Sequence, residues 1–202
     1  MNGRCAKCGR ELGAGESISV TGVGERCYPC FNEEIAARMG VEFDDTPGQP
    51  IELADADGVT HRFEIQSLLV ATGREMIAQE VPRPERGGYR FAVLGDYEAD
   101  AWELFQRLYD KMKREMAVRH VEHAEFGWQL KKGDRLVGRI EWDDRTDGRV
   151  PVLVVDGRTF SWDEVGRMLM TFEGFTLHAR VEDSVEVVGG PLLESQDPDG
   201  DP

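Results

Sequence analysis

Two cysteine pairs constrain this chain more than any other feature. Cys5 and Cys8 are separated by two residues, eighteen residues follow, and Cys27 and Cys30 repeat the two-residue spacing. A two-residue spacer lets both thiolates of a pair reach one ion from a tight turn. Two such pairs supply four soft donors in a tetrahedron, which is what zinc accepts. Four sulfurs also close the coordination sphere, whereas a catalytic ion keeps one position open for water. The expected metal is therefore a structural Zn2+ held by Cys5, Cys8, Cys27 and Cys30. A redox dithiol would call for a thioredoxin-like βαβ pattern, and none surrounds either pair. Four cysteines in 202 residues are too few for a disulfide-built secreted scaffold.

The residues between and after the pairs agree with this reading. Gly9 follows the first pair, where the chain must reverse. The stretch 16–21 is strand-like and bracketed by glycines, and Phe31, Ile35 and Met39 have helical spacing directly after the second pair. A knuckle, a crossing hairpin and a second pair that opens a helix, carried by Cys5, Cys8, Gly9, Cys27 and Cys30 over residues 3–40, resemble the treble-clef and zinc-ribbon fingers. The resemblance implies that the last two ligands come from the first turn of a helix. A small finger ahead of an acidic α+β region is also similar to uncharacterised bacterial α+β proteins, and that likeness implies no activity.

Beyond the finger, Pro47, Gly48 and Pro50 among acidic residues mark a linker. The organisation expected is a finger module at 1–45, an α+β domain at 46–188 and a disordered acidic tail at 189–202. The linker composition predicts limited packing between the first two. Strands are expected at 51–55 and 59–66 around an Asp57-Gly58 turn, then at 68–74, 76–81, 89–94 and 136–142. A further hairpin is expected at 152–160 around Asp156-Gly157. Ala101, Leu104, Phe105, Leu108, Met112 and Met116 form one stripe of a long helix, with Asp96 or a neighbour as its cap and its end near 120–124. Ser161 and Glu164 have capping-box spacing for a second helix, which Gly174 ends. Phe175, Leu177, Ala179 and Val181 alternate with polar residues as the clearest strand in the chain. The fold class is thus α+β: a mostly antiparallel sheet packed with two helices around one core, with Leu104, Phe105, Leu108, Phe172, Leu177 and Val181 among its buried residues.

Charge limits the function classes. Lys and Arg total 24 against 39 Asp and Glu, a net of −15, which opposes sequence-independent binding to a phosphate backbone. The finger is the exception: Arg4, Lys7, Arg10, Arg26 and Arg38 balance five acids. The first twenty residues hold no apolar run of signal-peptide type, and no stretch approaches the roughly 20 apolar residues of a membrane span. The location expected is the cytoplasm. His120 and His123 lie at the expected end of the long helix, without a third ligand. His61 falls on a strand face with Val59, Phe63 and Ile65. Glu141, Asp143, Asp144 and Asp147 cluster in one loop, where polar turn-making and divalent-metal binding both fit. No phosphate-binding loop, nucleophile elbow or His-Glu-x-x-His motif occurs. The reading reached is a non-enzymatic zinc-binding protein that acts as a protein-interaction or regulatory adaptor with a protein partner and no membrane. The alternatives are nucleic-acid binding through the finger and an enzyme whose site lies in the α+β region.

Overall fold

The computed structural model describes residues 3–13, 17–44, 49–82, 87–131 and 135–187. The centre of the linker and the acidic tail lie outside them. The chain is α+β. In order it forms β1 (Ser17–Val20), β2 (Gly24–Cys27), α1 (Tyr28–Met39), β3 (Ile51–Ala54), β4 (Thr60–Val70), β5 (Gly73–Val81), β6 (Arg90–Gly95), α2 (Ala101–Met116), β7 (Val121–Ala124), β8 (Gly127–Leu130), β9 (Arg139–Glu141), β10 (Val152–Val155), β11 (Arg158–Phe160), α3 (Trp162–Leu169) and β12 (Val185–Val187).

The largest sheet has the order β12-β6-β5-β4-β3. All its pairs are antiparallel except β12, which lies parallel to β6. The sequence placed one strand across residues 68–74, but β4 and β5 are the arms of a long hairpin that turns at Ala71 and Thr72, with Val70 opposite Gly73. The Tyr97 hydroxyl, shared between the carbonyls of Val70 and Ala71 at 3.0 and 2.7 Å, holds that turn. Gly73 is required where it stands. Its φ is 147°, and a Cβ there would sit 2.1 Å from the carbonyl oxygen of Gly95.

Helix α2 covers one face of this sheet. Asp100, rather than Asp96, caps it by accepting the Glu103 amide at 2.9 Å. Leu104, Leu108, Met112 and Met116 project from the predicted stripe onto Phe63, Ile65, Met76, Ala78, Phe91 and Val93. Each fully buried side chain of this kind contributes about 1.5–3 kcal/mol. Lys111 is buried as well. Its ammonium donates to the carbonyls of Ala92 in β6 and Ser184 ahead of β12, at 3.1 and 2.5 Å, and burial pushes its pKa down. Arg114 reaches Glu186 at 2.9 Å, so α2 holds β12 in place twice over.

Among the described residues, the single core expected over 51–188 is instead divided into two clusters. The second joins Val121, Val155, Phe160, Val165 and Met168, drawn from the β7–β8 hairpin, the β11-β10-β9 sheet and α3. Helix α3 begins with the predicted capping box, in which the Ser161 hydroxyl and the Glu164 carboxylate each accept from the other's amide. Residues 175–182 are not a strand, and Leu177 and Val181 are exposed rather than buried. Phe172 is half-buried.

The finger is docked rather than hung from its linker. Asn32 of α1 is fully buried. Its side-chain amide donates to the Ser67 carbonyl and accepts from the Leu69 N–H, both at 2.9 Å. Strand β3 pairs with β4 only as far as Phe63, so beyond that point this edge has no neighbouring strand among the described residues. The Asn32 amide bonds to the groups flanking Leu68 as the N–H and C=O of one residue in a parallel strand would. Below it, Arg74 stacks on Phe43 at 4.7 Å and donates to the Asp44 carbonyl.

Candidate metal centre

The knuckle carrying Cys5 and Cys8 is set by backbone. Cys5 N–H donates to the Arg10 carbonyl and Gly9 N–H to the Cys5 carbonyl, both at 2.9 Å. Gly9 makes the reversal at φ 74°, where a side chain would be strained. Ala6 N–H reaches the Glu25 carbonyl at 2.8 Å, which ties the knuckle to the β1–β2 hairpin. That hairpin ends on Cys27, the N-cap of α1, and Pro29 in the first turn costs no hydrogen bond there. Cys30 follows within the same turn. Both thiols of the second pair thus lie at the positive end of the α1 dipole.

All four sulfurs lie within 4.8 Å of one another. The Cys8–Cys27 separation is 3.8 Å, close to the edge of about 3.8 Å for a tetrahedron of sulfurs about 2.3 Å from one ion. Disulfide sulfurs would be about 2.05 Å apart, and all four cysteines are free. Cys5, Cys27 and Cys30 are buried with Leu12 in a small apolar cluster, while Cys8 is exposed. The Cys5 thiol is drawn down to about 5, first by the Cys27 backbone amide and then by that of Cys8. Burial pushes Cys30 up to about 12 and raises Cys27. One thiol is therefore drawn toward the thiolate by amides, and binding of a cation here would require the buried thiols to release their protons.

A second polar grouping was missed by the sequence reading. Asp55, with its side chain 2% exposed, accepts the amides of Asp57 and Val59 on one carboxylate oxygen. Its other oxygen accepts from Arg119 at 2.5 Å and faces His61 Nε2 at 3.1 Å. The other ring nitrogen of His61 lies 2.6 Å from Glu80, whose second oxygen accepts the Tyr89 amide at 2.8 Å. Arg119 also bridges to Asp57 at 2.7 Å. Asp156 accepts the amides of His120 and Val121 at 2.8 and 3.0 Å. The network joins the α2-covered sheet to the second core. The expected apolar face around His61 is thus only half correct: Phe63 and Ile65 are buried, but Val59 is exposed and His61 is held between two carboxylates. The Asp-Gly turn at 57–58 was a visible signal. Arg119, 64 residues from Asp55, carried none.

The remaining candidates do not assemble a site. His120 and His123 are not at a helix end, because α2 stops at Met116 and the chain enters β7. A spacing of three along an extended chain sends side chains to opposite faces. His120 accordingly contacts the Arg135 carbonyl at 3.1 Å, and His123 stacks edge-on against Trp128. In the acidic loop, Glu141 is bound by Arg139 at 2.6 Å and the buried Asp143 by Arg145 at 3.2 Å. Among the described residues, the four cysteines are the one group of three or more Cys, His, Asp or Glu placed to hold an ion. Of the basic side chains of the finger, Arg4 pairs with Glu11, Lys7 with Glu33 and Arg38 with Glu34, and Arg26 is buried beside Glu34.

Two family models match the chain beyond the finger. Residues 44–117 match a domain of unknown function (DUF7686), and residues 120–186 match a second (DUF7713). No curated protein and no solved structure matches. The first matched segment contains β3 to α2 and the second contains β7 to the start of β12. Arg119 stands between them.

Proposed function

We propose that this chain is a non-enzymatic adaptor whose treble-clef finger, residues 1–45, holds one structural Zn2+ and whose α+β region docks a protein partner in the reducing cytoplasm. The observation that carries the docking role is on the flank of α2, where the half-buried Phe105 also packs against the core. Trp102, Phe105 and Tyr109 stack in series, with ring centroids 5.4 and 6.1 Å apart, and Trp102 is 63% exposed. Lys113 extends the row over the Tyr109 ring. Tyr, Trp and Phe are among the residues in which the centres of protein interfaces are enriched. A four-thiolate shell suits an ion that fixes shape. The pairing of Arg4, Lys7 and Arg38 with acids weighs against a nucleic-acid role for the finger.

Two measurements test this. Elemental analysis of protein purified without added metal is expected to give one zinc per chain, and a content near zero with four titratable thiols in folded protein would refute the metal. Affinity purification from the native host is expected to recover a protein partner with wild type and to lose it with Trp102→Ala and Tyr109→Ala together. Equal recovery by both would remove α2 as the docking face.

A further inference from the structure

Residues 175–182 read Phe-Thr-Leu-His-Ala-Arg-Val-Glu, a strict alternation of apolar and polar side chains. Such a pattern specifies a strand with one face against apolar material. Among the described residues the fold leaves that face largely uncovered: Phe175, Leu177 and Val181 are 76%, 70% and 81% exposed. Among the described residues, 176–183 make no backbone–backbone hydrogen bond. The segment is nonetheless fixed at both ends. Phe175 N–H donates to the Phe172 carbonyl and its ring packs edge-on against Phe172 at 5.9 Å. At the other end Lys111 grips the Ser184 carbonyl and β12 lies on β6. Between those ends it is neither helix nor strand, and among the described residues its backbone groups from 176 to 183 are unpaired with other backbone.

Proteins blunt such edges with lysine, proline or a covering element. Residues 175–182 contain neither residue, and Arg180 and Glu182, paired at 2.7 Å, leave them with no net charge. In a chain of net charge −15 this is a stretch that a second, equally acidic copy can approach. The side chains also select a register. With His178 opposite His178 of a second copy in antiparallel pairing, Phe175 faces the second copy's Val181 and Leu177 faces its Ala179. Every apolar residue meets an apolar one, and Thr176 meets Arg180 on the other face. Centring on Ala179 would oppose Phe175 to Asp183, and centring on Leu177 would oppose Val181 to Glu173.

We propose that residues 175–182 form a dimerisation strand, pairing antiparallel with the same segment of a second copy across a two-fold axis at His178. The contact is isologous and self-limiting, as a closed dimer requires. A two-stranded ribbon is a modest interface, so the dimer forms and dissociates with concentration.

Sedimentation equilibrium on the full chain over a wide concentration range is expected to show a monomer–dimer transition. Leu177→Lys and Val181→Lys should each weaken it by at least about tenfold, or 1.4 kcal/mol. Both positions are exposed, so an unchanged melting transition is expected alongside. Directly opposed residues of an antiparallel pair have Cα atoms about 4.5–5.5 Å apart, within the span of a disulfide. His178→Cys should therefore cross-link to a species of twice the mass under mild oxidation, against a wild-type control for the native thiols, while Thr176→Cys should not. A monomer at every concentration, a dimer indifferent to both lysine variants, or cross-linking at 176 in preference to 178 would each overturn the proposal.

Discussion

Asn32 shows how much can depend on one short side chain. Its two hydrogen bonds to β4 are the described polar contacts that seat α1 on the sheet, and both satisfy backbone groups that the β3 pairing leaves open. Asn32→Ala leaves the buried Leu69 amide and the half-buried Ser67 carbonyl without these partners, at a cost of about 1–3 kcal/mol for a fully buried group. Urea titration is expected to show a lowered midpoint with the slope unchanged. Nothing in the sequence marks Asn32, because its partners lie 35 and 37 residues away. Asp55 is a similar case. Burial alone would raise its pKa, but the Val59 amide, His61, the Asp57 amide and Arg119 outweigh it and hold the carboxyl below its ordinary value. A carboxyl whose folded pKa is depressed contributes stability that is present above the unfolded pKa, near 3.9, and lost as pH falls through the folded value. Wild type should therefore lose stability on acidification below about pH 4. Asp55→Asn should flatten that limb of the pH–stability curve. Arg119→Ala, which leaves the buried carboxylate without its main counter-charge, should cost about 3–5 kcal/mol at neutral pH.

Elements were legible wherever their determinants are local. The α2 stripe, the Ser161 capping box and the Asp-Gly turns at 57–58 and 156–157 all depend on residues within a turn or two, and the structure has all of them. The misreadings arose where a partner decides. The turn at Ala71 and Thr72 carries no Asn-Gly or Asp-Gly signature, so the run from Leu68 to Arg74 looked continuous. Residues 175–182 have the period of a strand, and period specifies that a face must be covered without saying by what. The cost of truncation separates the two cases. Leu108→Ala empties space between α2 and the sheet and should cost about 2–5 kcal/mol. Leu177→Ala, measured in dilute solution where the chain is monomeric, should stay within about 0.5 kcal/mol of wild type. A loss at Leu177 as large as that at Leu108 would mean that this segment is packed within its own chain.

At the scale of the molecule, the four-cysteine spacing located a cluster of sulfurs that could hold an ion, whereas the linker composition misled. Pro47, Gly48 and Pro50 suggested a tethered finger, but α1 is seated on β4. Chelation, or Cys27→Ser, is therefore expected to do more than melt residues 1–40. Loss of α1 frees the Leu69 N–H from Asn32, so segment-resolved amide exchange should show protection falling there as well, while α2 and the β5–β6 pairing keep theirs. Undisturbed exchange at Leu69 would show that the contact does not depend on the metal. The position of β12 has a consequence of another kind, for the order of events during synthesis. The β6 edge is complete as a backbone once Gly95 has emerged, yet the strand that covers it begins at Val185, about 90 residues later. At about 5–20 residues per second a ribosome takes roughly 5–18 s to cover that distance. For that interval the nascent sheet presents an uncapped flank to neighbouring chains on the same message, until β12 is made and closes it.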